Sequence, residues 1–279
     1  MIRNPLLMAA LAALLLATPA LAQVTGHAAT RSRWDDAGRL EYYKGSSYER
    51  VLPLAPIVFV DDFMGSKLAK IITGENTVAP WTCLDTDNDA DVLLVANTGN
   101  GLVNIAVGTT DVTQLSVLYL GDQLPWRMDQ NLIMEWRCAI HTLPSSEAGT
   151  ELPEIEMGFA SAHNATADSV ATNAWFKMVG DDANIYYESD DGDTDDDDND
   201  STIDAVADTY HIFRIDCTTA ATTKFYIDGA LVGTTSMAGL TTTENSVQPY
   251  FRVSKTKSSA NVGVAAVYLD YVRIWQDRE

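Results

Sequence analysis

From residue 57 onward, apolar and polar positions alternate in short runs separated by turn residues. IVFVDDF (57–63), VLLVA (92–96), LVNIAV (102–107) and QLSVLYL (114–120) are rich in β-branched and aromatic residues, the side chains that suit a pleated, half-buried surface. In NLIMEWRCAIH, alternation places Leu132, Met134, Trp136, Cys138 and Ile140 on one face and Ile133, Glu135, Arg137 and His141 on the other. EIEMGFA puts Ile155, Met157 and Phe159 opposite Glu154 and Glu156. HIFRIDC puts Phe213, Ile215 and Cys217 opposite Arg214 and Asp216. TKFYIDGALVGTT reads as two strands around an Asp228-Gly229 turn, and VGVAAVYLDYVRIWQ as a long closing strand. No long segment past residue 22 keeps a 3.6-residue period, and Ser161–Asn173 is polar and loop-like. The pattern predicts an all-β, two-sheet antiparallel sandwich.

The first 22 residues differ. Arg3 is followed by an apolar run from Leu6 to Leu16 and by Ala20-Leu21-Ala22, the layout of a cleavable secretory signal. Residues 23–56 form an expected N-terminal arm. RLEYY and SSYERVL flank Lys44-Gly45 as a small hairpin, and Arg31, Arg33, Arg39, Lys44 and Arg50 make the arm basic. Docking of this arm onto another virion or surface protein, or onto a second copy in a homo-oligomer, is expected. The main domain then spans 57–279. No later apolar run reaches the roughly 20 residues of a membrane-spanning helix.

Charge narrows the function classes. The 279 residues carry 18 Lys and Arg against 39 Asp and Glu, a net charge of -21. Such a surface repels phosphate backbones, so nucleic acid is not an expected partner. Export would permit disulfides, but Cys83, Cys138 and Cys217 leave at least one thiol unpaired, and buried free thiols are expected.

The C-terminal third carries a resemblance. Asp208 to Ile215 (DTYHIFRI) leads into Phe225-Tyr226-Ile227-Asp228-Gly229, and the chain closes with Asp270-Tyr271-Val272-Arg273-Ile274. Together with the opening Val60-Asp61-Asp62-Phe63-Met64-Gly65, these segments resemble the concanavalin A-like lectin/glucanase superfamily, and most of all the jelly-roll proteins of tailed-phage structural modules. The resemblance implies a jelly-roll sandwich displayed on a virion surface or secreted, without enzymatic activity. Its alternatives are a secreted glycan-binding module and a laminarinase-like glycoside hydrolase.

Three sets of residues are candidates for chemistry. Laminarinase-like members of the superfamily carry three carboxylates at alternating strand positions. Here the series is Glu154, Glu156, Gly158, so the third is missing. Residues two apart on a strand are about 7 Å apart, and their carboxyls can approach the ~5–5.5 Å of a retaining glycosidase. With the set incomplete, a solvated sheet face is the expectation for both glutamates. Asp85, Asp87, Asp89 and Asp91 offer alternating hard oxygens to calcium, as does a second turn with Asp190, Asp193 and Asp195. The second turn lies in residues 181–200, which hold 11 acids and no base and read as a mobile, solvated loop. Trp34, Trp81, Trp126, Trp136, Trp175 and Trp275 are candidates to include a sugar-stacking platform, with Trp136 reading as core.

Overall fold

The computed structural model describes residues 31–34, 40–43, 57–64, 74–78, 80–87, 91–96, 98, 101–145, 153–240, 245–256 and 263–277. The chain divides at Ala55/Pro56 into two units. The described part of the first is a two-stranded antiparallel sheet, β1 (Arg31–Trp34) with β2 (Leu40–Tyr43). Arg31 faces Tyr43 and Trp34 faces Leu40, so Leu40–Tyr43 of the expected RLEYY strand pairs with Arg31–Trp34, while its expected partner SSYERVL lies outside the described residues. Lys44-Gly45 and the signal-like residues 1–22 lie outside the described residues.

The second unit is a sandwich. Its strands are β3 (Ile57–Asp61), β4 (Gly74–Val78), β5 (Trp81–Asp85), β6 (Asp91–Leu94), β7 (Val103–Val107), β8 (Gln114–Tyr119), β9 (Trp126–Arg127) and β10 (Leu132–Ser145). After these come β11 (Glu154–Ala160), β12 (Asn173–Val179), β13 (Asn184–Asp190), β14 (Asp195–Asp204), β15 (Tyr210–Cys217), β16 (Thr223–Ile227), β17 (Ala230–Thr235), β18 (Ser246–Lys255) and β19 (Val264–Gln276). One sheet runs β17-β16-β15-β10-β19-β7-β6, with β3 also on β19. The other runs β14-β13-β12-β11-β18-β8-β5-β4, with β9 also on β18. Every strand pairing among the described residues is antiparallel, and neighbours distant in sequence, such as β11 and β18, give the crossovers of a jelly roll. The described residues hold no α-helix, only two single 3₁₀ turns.

The alternation seen in the sequence sorts side chains as expected. Leu132, Met134, Trp136, Cys138 and Ile140 of β10 are buried against Ile155, Met157 and Phe159 of β11 and Phe213, Ile215 and Cys217 of β15. Trp136 is the hub of this core: it stacks on Phe213 at 5.5 Å and meets Phe176 and Phe251 edge-on, each at 5.9 Å. The β16–β17 hairpin turns through Asp228 (φ 50°) and Gly229 (φ 80°), the two positive φ values that a type I′ turn requires. At the sandwich edge, Asp61 accepts from the Trp81 indole (2.7 Å) and from the Phe63 backbone N–H (2.7 Å), pinning β3 to β5.

The acidic run is structured. Asp190 and Asp195 pair directly across the β13–β14 connection, and β14 forms the edge strand of the second sheet through Asp204. The expectation of a mobile loop is therefore corrected. An edge strand keeps one side of its backbone in water, so consecutive aspartates can remain solvated while the other side is hydrogen-bonded.

Candidate functional site

Every second residue on the nine-stranded sheet points away from the core, and registration lines these residues up in rows. One row crosses five strands: Arg252 on β18 faces Glu156 on β11, Glu156 faces Lys177 on β12, Lys177 faces Tyr186 on β13, and Tyr186 faces Asp200 on β14. The adjacent row runs Tyr250, Gly158, Trp175, Glu188. A surface sheet face would leave the charged members in water. Here Glu156, Glu188, Lys177 and Arg252 are all buried, Glu156 completely so.

The expectation of a solvated face for the two glutamates is corrected for Glu156. Its Oε1 accepts from Arg252 at 2.5 Å, and the same guanidinium lies 3.6 Å from Glu154, which is partly exposed. Lys177 Nζ sits 3.2 Å from Glu188 and 3.2 Å from Asp198. The Trp175 indole N–H donates to the other oxygen of Glu188. Glu156 Oε2 and Arg252 Nε are buried with no hydrogen-bond partner among the described residues.

Burial sets the proton affinities. It pushes Glu156 up to about 7 against the pull of Arg252, and Glu188 up to about 7 against Lys177 and the Trp175 hydrogen bond. Burial works to lower Lys177, but Glu188 and Asp198 overcome it and hold the ammonium above its ordinary value. Four carboxyls (Glu154, Glu156, Glu188, Asp198) share two cations, so the cluster can retain a proton near neutrality. That is the property a general acid–base site requires.

The row opens at its β12–β14 end. Val179, Gly180, Asp182, Tyr186 and Asp198 line an open pocket of about 290 Å³. The Tyr186 hydroxyl donates to Asp182 at 2.7 Å, so the mouth is set with oriented polar groups beside Lys177. At its other end the face is covered by residues 161–172, described below.

Gly158 stands where the third carboxylate of the laminarinase-like pattern would be. A Cβ there would fall 2.3 Å from the Ala174 carbonyl oxygen and 2.7 Å from Trp175 Cα. The position therefore excludes any side chain. Strands β18 and β12 flank β11, two strand spacings or roughly 9.5 Å apart, yet the Tyr250 and Trp175 rings stack with centroids 6.2 Å apart. A Cβ at 158 would also fall 2.9 Å from Ile215 Cδ1 in the core.

The aspartates singled out for calcium go to separate tasks. Asp85, buried, accepts the Asp87 N–H; Asp87 accepts from Gln114; Asp91 opens β6; Asp190 accepts the Gly192 N–H. Asp193 is an exposed turn residue, Asp195 begins β14, and Asp89 lies outside the described residues. Among the described residues no three histidine, cysteine, aspartate or glutamate side chains converge on a metal position. Sequence reading missed Lys177, Glu188 and Arg252. The available signal was their placement on outward positions of strands whose other face is apolar, but only registration between distant strands brings them together.

No family model matches the chain, and no curated protein matches it. Solved structures do. A protein of unknown function from Shewanella oneidensis MR-1 matches at TM-score 0.52 and 12% identity, covering 81% of this chain and 89% of that one. A structure described under endo-acting O-glycanases of the human gut microbiota matches at TM-score 0.51 and 13% identity, covering 79% and 99%. An alginate lyase matches at TM-score 0.46 and 13% identity, covering 67% and 84%. The first two likenesses agree with the antiparallel jelly-roll sandwich seen here. The second of them also corrects the expectation that the protein is not an enzyme: a structure described under O-glycan-cleaving enzymes shares this architecture, so a broken carboxylate triad does not rule out catalysis on it. At 12–13% identity they assign no reaction. What they share with this chain is the jelly-roll sandwich, a fold on which glycan-active and other proteins alike are built.

Proposed function

We propose that the protein engages glycan chains on the outward face of its nine-stranded sheet, at the pocket beside Lys177 and Tyr186. The buried ionic row carries this reading. Burying charged side chains costs more than their mutual attraction returns unless geometry is excellent, and apolar replacements of such pairs are often neutral or stabilising. A cluster of four buried charged groups, three in one row and Glu188 in the next, with two carboxyls held near 7 and an opening at one end, is therefore better explained by chemistry at the site than by stability. Secretion or display on a virion surface, the setting suggested by the sequence, suits a glycan-engaging module.

The mouth favours uncharged sugars. Its exposed ionisable groups are Asp198 and Asp182, with Glu154 partly exposed nearby, whereas Lys177 is already engaged by two carboxylates. A neutral glycan can donate hydroxyl protons to these oxygens, while a polyuronate would meet like charge.

The test is an array of neutral and anionic glycans, followed by a reducing-end assay on the glycan bound best. Binding to neutral members, lost in Lys177→Met and Tyr186→Ala, is the expected result. Absence of binding across the array, or binding unchanged in both variants, would overturn it. Turnover abolished by Glu188→Gln would identify the site as catalytic.

A further inference from the structure

The segment between β11 and β12, residues 161–172, folds back over the outward face of the sheet. Ser161 and Thr172 close its neck: the Ser161 N–H donates to the Thr172 carbonyl (2.8 Å) and the Thr172 N–H to Ser161 Oγ (3.1 Å). Beyond the neck, its attachments are few and mostly polar. The His163 ring meets the Tyr250 hydroxyl at 2.7 Å, the His163 N–H donates to Asp122 at 2.7 Å, and Arg252 donates to the Ala165 carbonyl at 3.1 Å. Its only buried apolar side chains are those of Ala167 and Val170.

What lies beneath is of a different kind. Tyr119, Trp175 and Tyr250 form a continuous aromatic floor, with Tyr250 6.3 Å from Tyr119 and 6.2 Å from Trp175. All three rings are at most 3% exposed. At the edge of this floor stand Arg252 and Glu156, each with a buried polar atom that no group among the described residues satisfies. A segment acting only as a plug would cover such a floor with large apolar side chains. This one offers two small ones and the imidazole of His163, 5.4 Å from the Tyr119 ring and 5.9 Å from that of Tyr250, together with hydrogen bonds that water can replace. An aromatic floor with hydrogen-bonding groups at its rim is the arrangement that receives a sugar ring, whose C–H face stacks and whose hydroxyls reach the rim.

We infer that residues 161–172 are a displaceable lid over a sugar-stacking subsite formed by Tyr119, Trp175 and Tyr250, with Arg252 and Glu156 as its polar rim. The subsite adjoins the pocket along the same two rows, so one chain can occupy both when the lid is open. This rests on the reading of the protein as glycan-engaging and adds a second, covered ring position to it.

The test compares two variants of the full chain against immobilised laminarihexaose, mannohexaose and a pool of mucin O-glycans. In the first, residues 163–170 are replaced by Gly-Gly, leaving the neck intact. In the second, Asp122→Cys/His163→Cys ties the lid to the sheet by a disulfide that dithiothreitol releases. The uncovered variant, once shown to melt cooperatively, is expected to bind at least one probe about tenfold tighter than the parent. That gain should disappear on adding Trp175→Ala or Tyr250→Ala. The tied variant should bind more weakly than its own reduced form, a comparison that needs no deletion to fold. An uncovered variant no tighter than the parent, a gain that survives loss of both rings, or a tied variant indifferent to reduction would overturn the lid. If the parent binds through Lys177 and Tyr186 and the lid variants behave identically, only the lid falls. If no form binds any probe, the glycan reading falls with it. A gain through the rings that is insensitive to Lys177→Met leaves the lid standing and removes the pocket.

Discussion

The Trp175 indole donates its N–H to Glu188, the residue directly opposite it on the neighbouring strand. Through Glu188, which Lys177 also holds, the aromatic row is tied to the ionic one. Tryptophan can be fully buried here because its polar edge is satisfied by a carboxylate, and that carboxylate is in turn held by Lys177. Replacing Trp175 with Phe removes the donor while keeping most of the ring. Glu188 then loses one of the two groups that favour its charged form. Its apparent pKa should rise further above 7, readable by carboxyl NMR titration against Glu188→Gln. An unchanged titration would show that the indole contributes nothing to the site's proton affinity.

Glu156 and Glu188 make stability fall as pH rises. Each binds its proton more tightly folded, at about 7, than at its ordinary value of 4.5. Between those values the folded state holds more protons than the unfolded one, so lowering the pH favours folding. The melting temperature should therefore climb by several degrees from pH 8 to pH 5. Glu156→Gln and Glu188→Gln should each flatten the slope in that window. Parallel slopes in all three proteins would place the pH dependence elsewhere on this acidic surface.

Breaking the Arg252–Glu156 pair from one side should be far worse than removing both charges. Arg252→Met strands Glu156 in a site it shares with no other adjacent cation but Lys177, at a cost of about 3–5 kcal/mol. Arg252→Met with Glu156→Gln should recover most of that loss. Urea melts of the single and double variants measure the difference, and additive losses would mean the two side chains act independently.

Gly158→Ala tests the close approach at the centre of the sheet. Its methyl would press on the Ala174 carbonyl at 2.3 Å, and overpacking of this kind costs about 1–3 kcal/mol. Because the obstacle is backbone, the upper end is expected in a urea melt, together with loss of the Trp175–Tyr250 stack in near-UV circular dichroism. A variant as stable as the parent would show that β11 and β12 can part.

The acidic edge strand protects the sheet. Asp195 and Asp197 on β14 are exposed, and charges on an edge discourage pairing with another chain. Replacing both with Thr should leave the melting temperature nearly unchanged and lower solubility, seen as larger species in light scattering. Monodisperse double variants would assign the protection to the irregular backbone at Asp198 and Thr202, both at positive φ.

Most of the sandwich was legible along the chain because each strand sorts its own residues. Alternation in NLIMEWRCAIH and HIFRIDC alone names side chains that are buried in the core, and Asp228-Gly229 alone names its turn. The site was half legible. Glu154 and Glu156 stood out as an alternating pair, but the burial of Glu156 depends on Arg252, 96 residues away in sequence, and on a covering segment with no pattern of its own. The acidic run misled for a related reason. Charge density predicts repulsion, but pairing with β13 settles the strand, and only the neighbour's backbone is needed for that.

The three cysteines stand on β5, β10 and β15, each buried and unpaired. Burial pushes Cys83 and Cys217 up to about 12 and moves Cys138 upward as well, so none offers a thiolate for exchange near neutral pH. The sandwich consequently asks nothing of its redox surroundings. With no disulfide to form or break, the same packing suits a reducing and an oxidising setting alike.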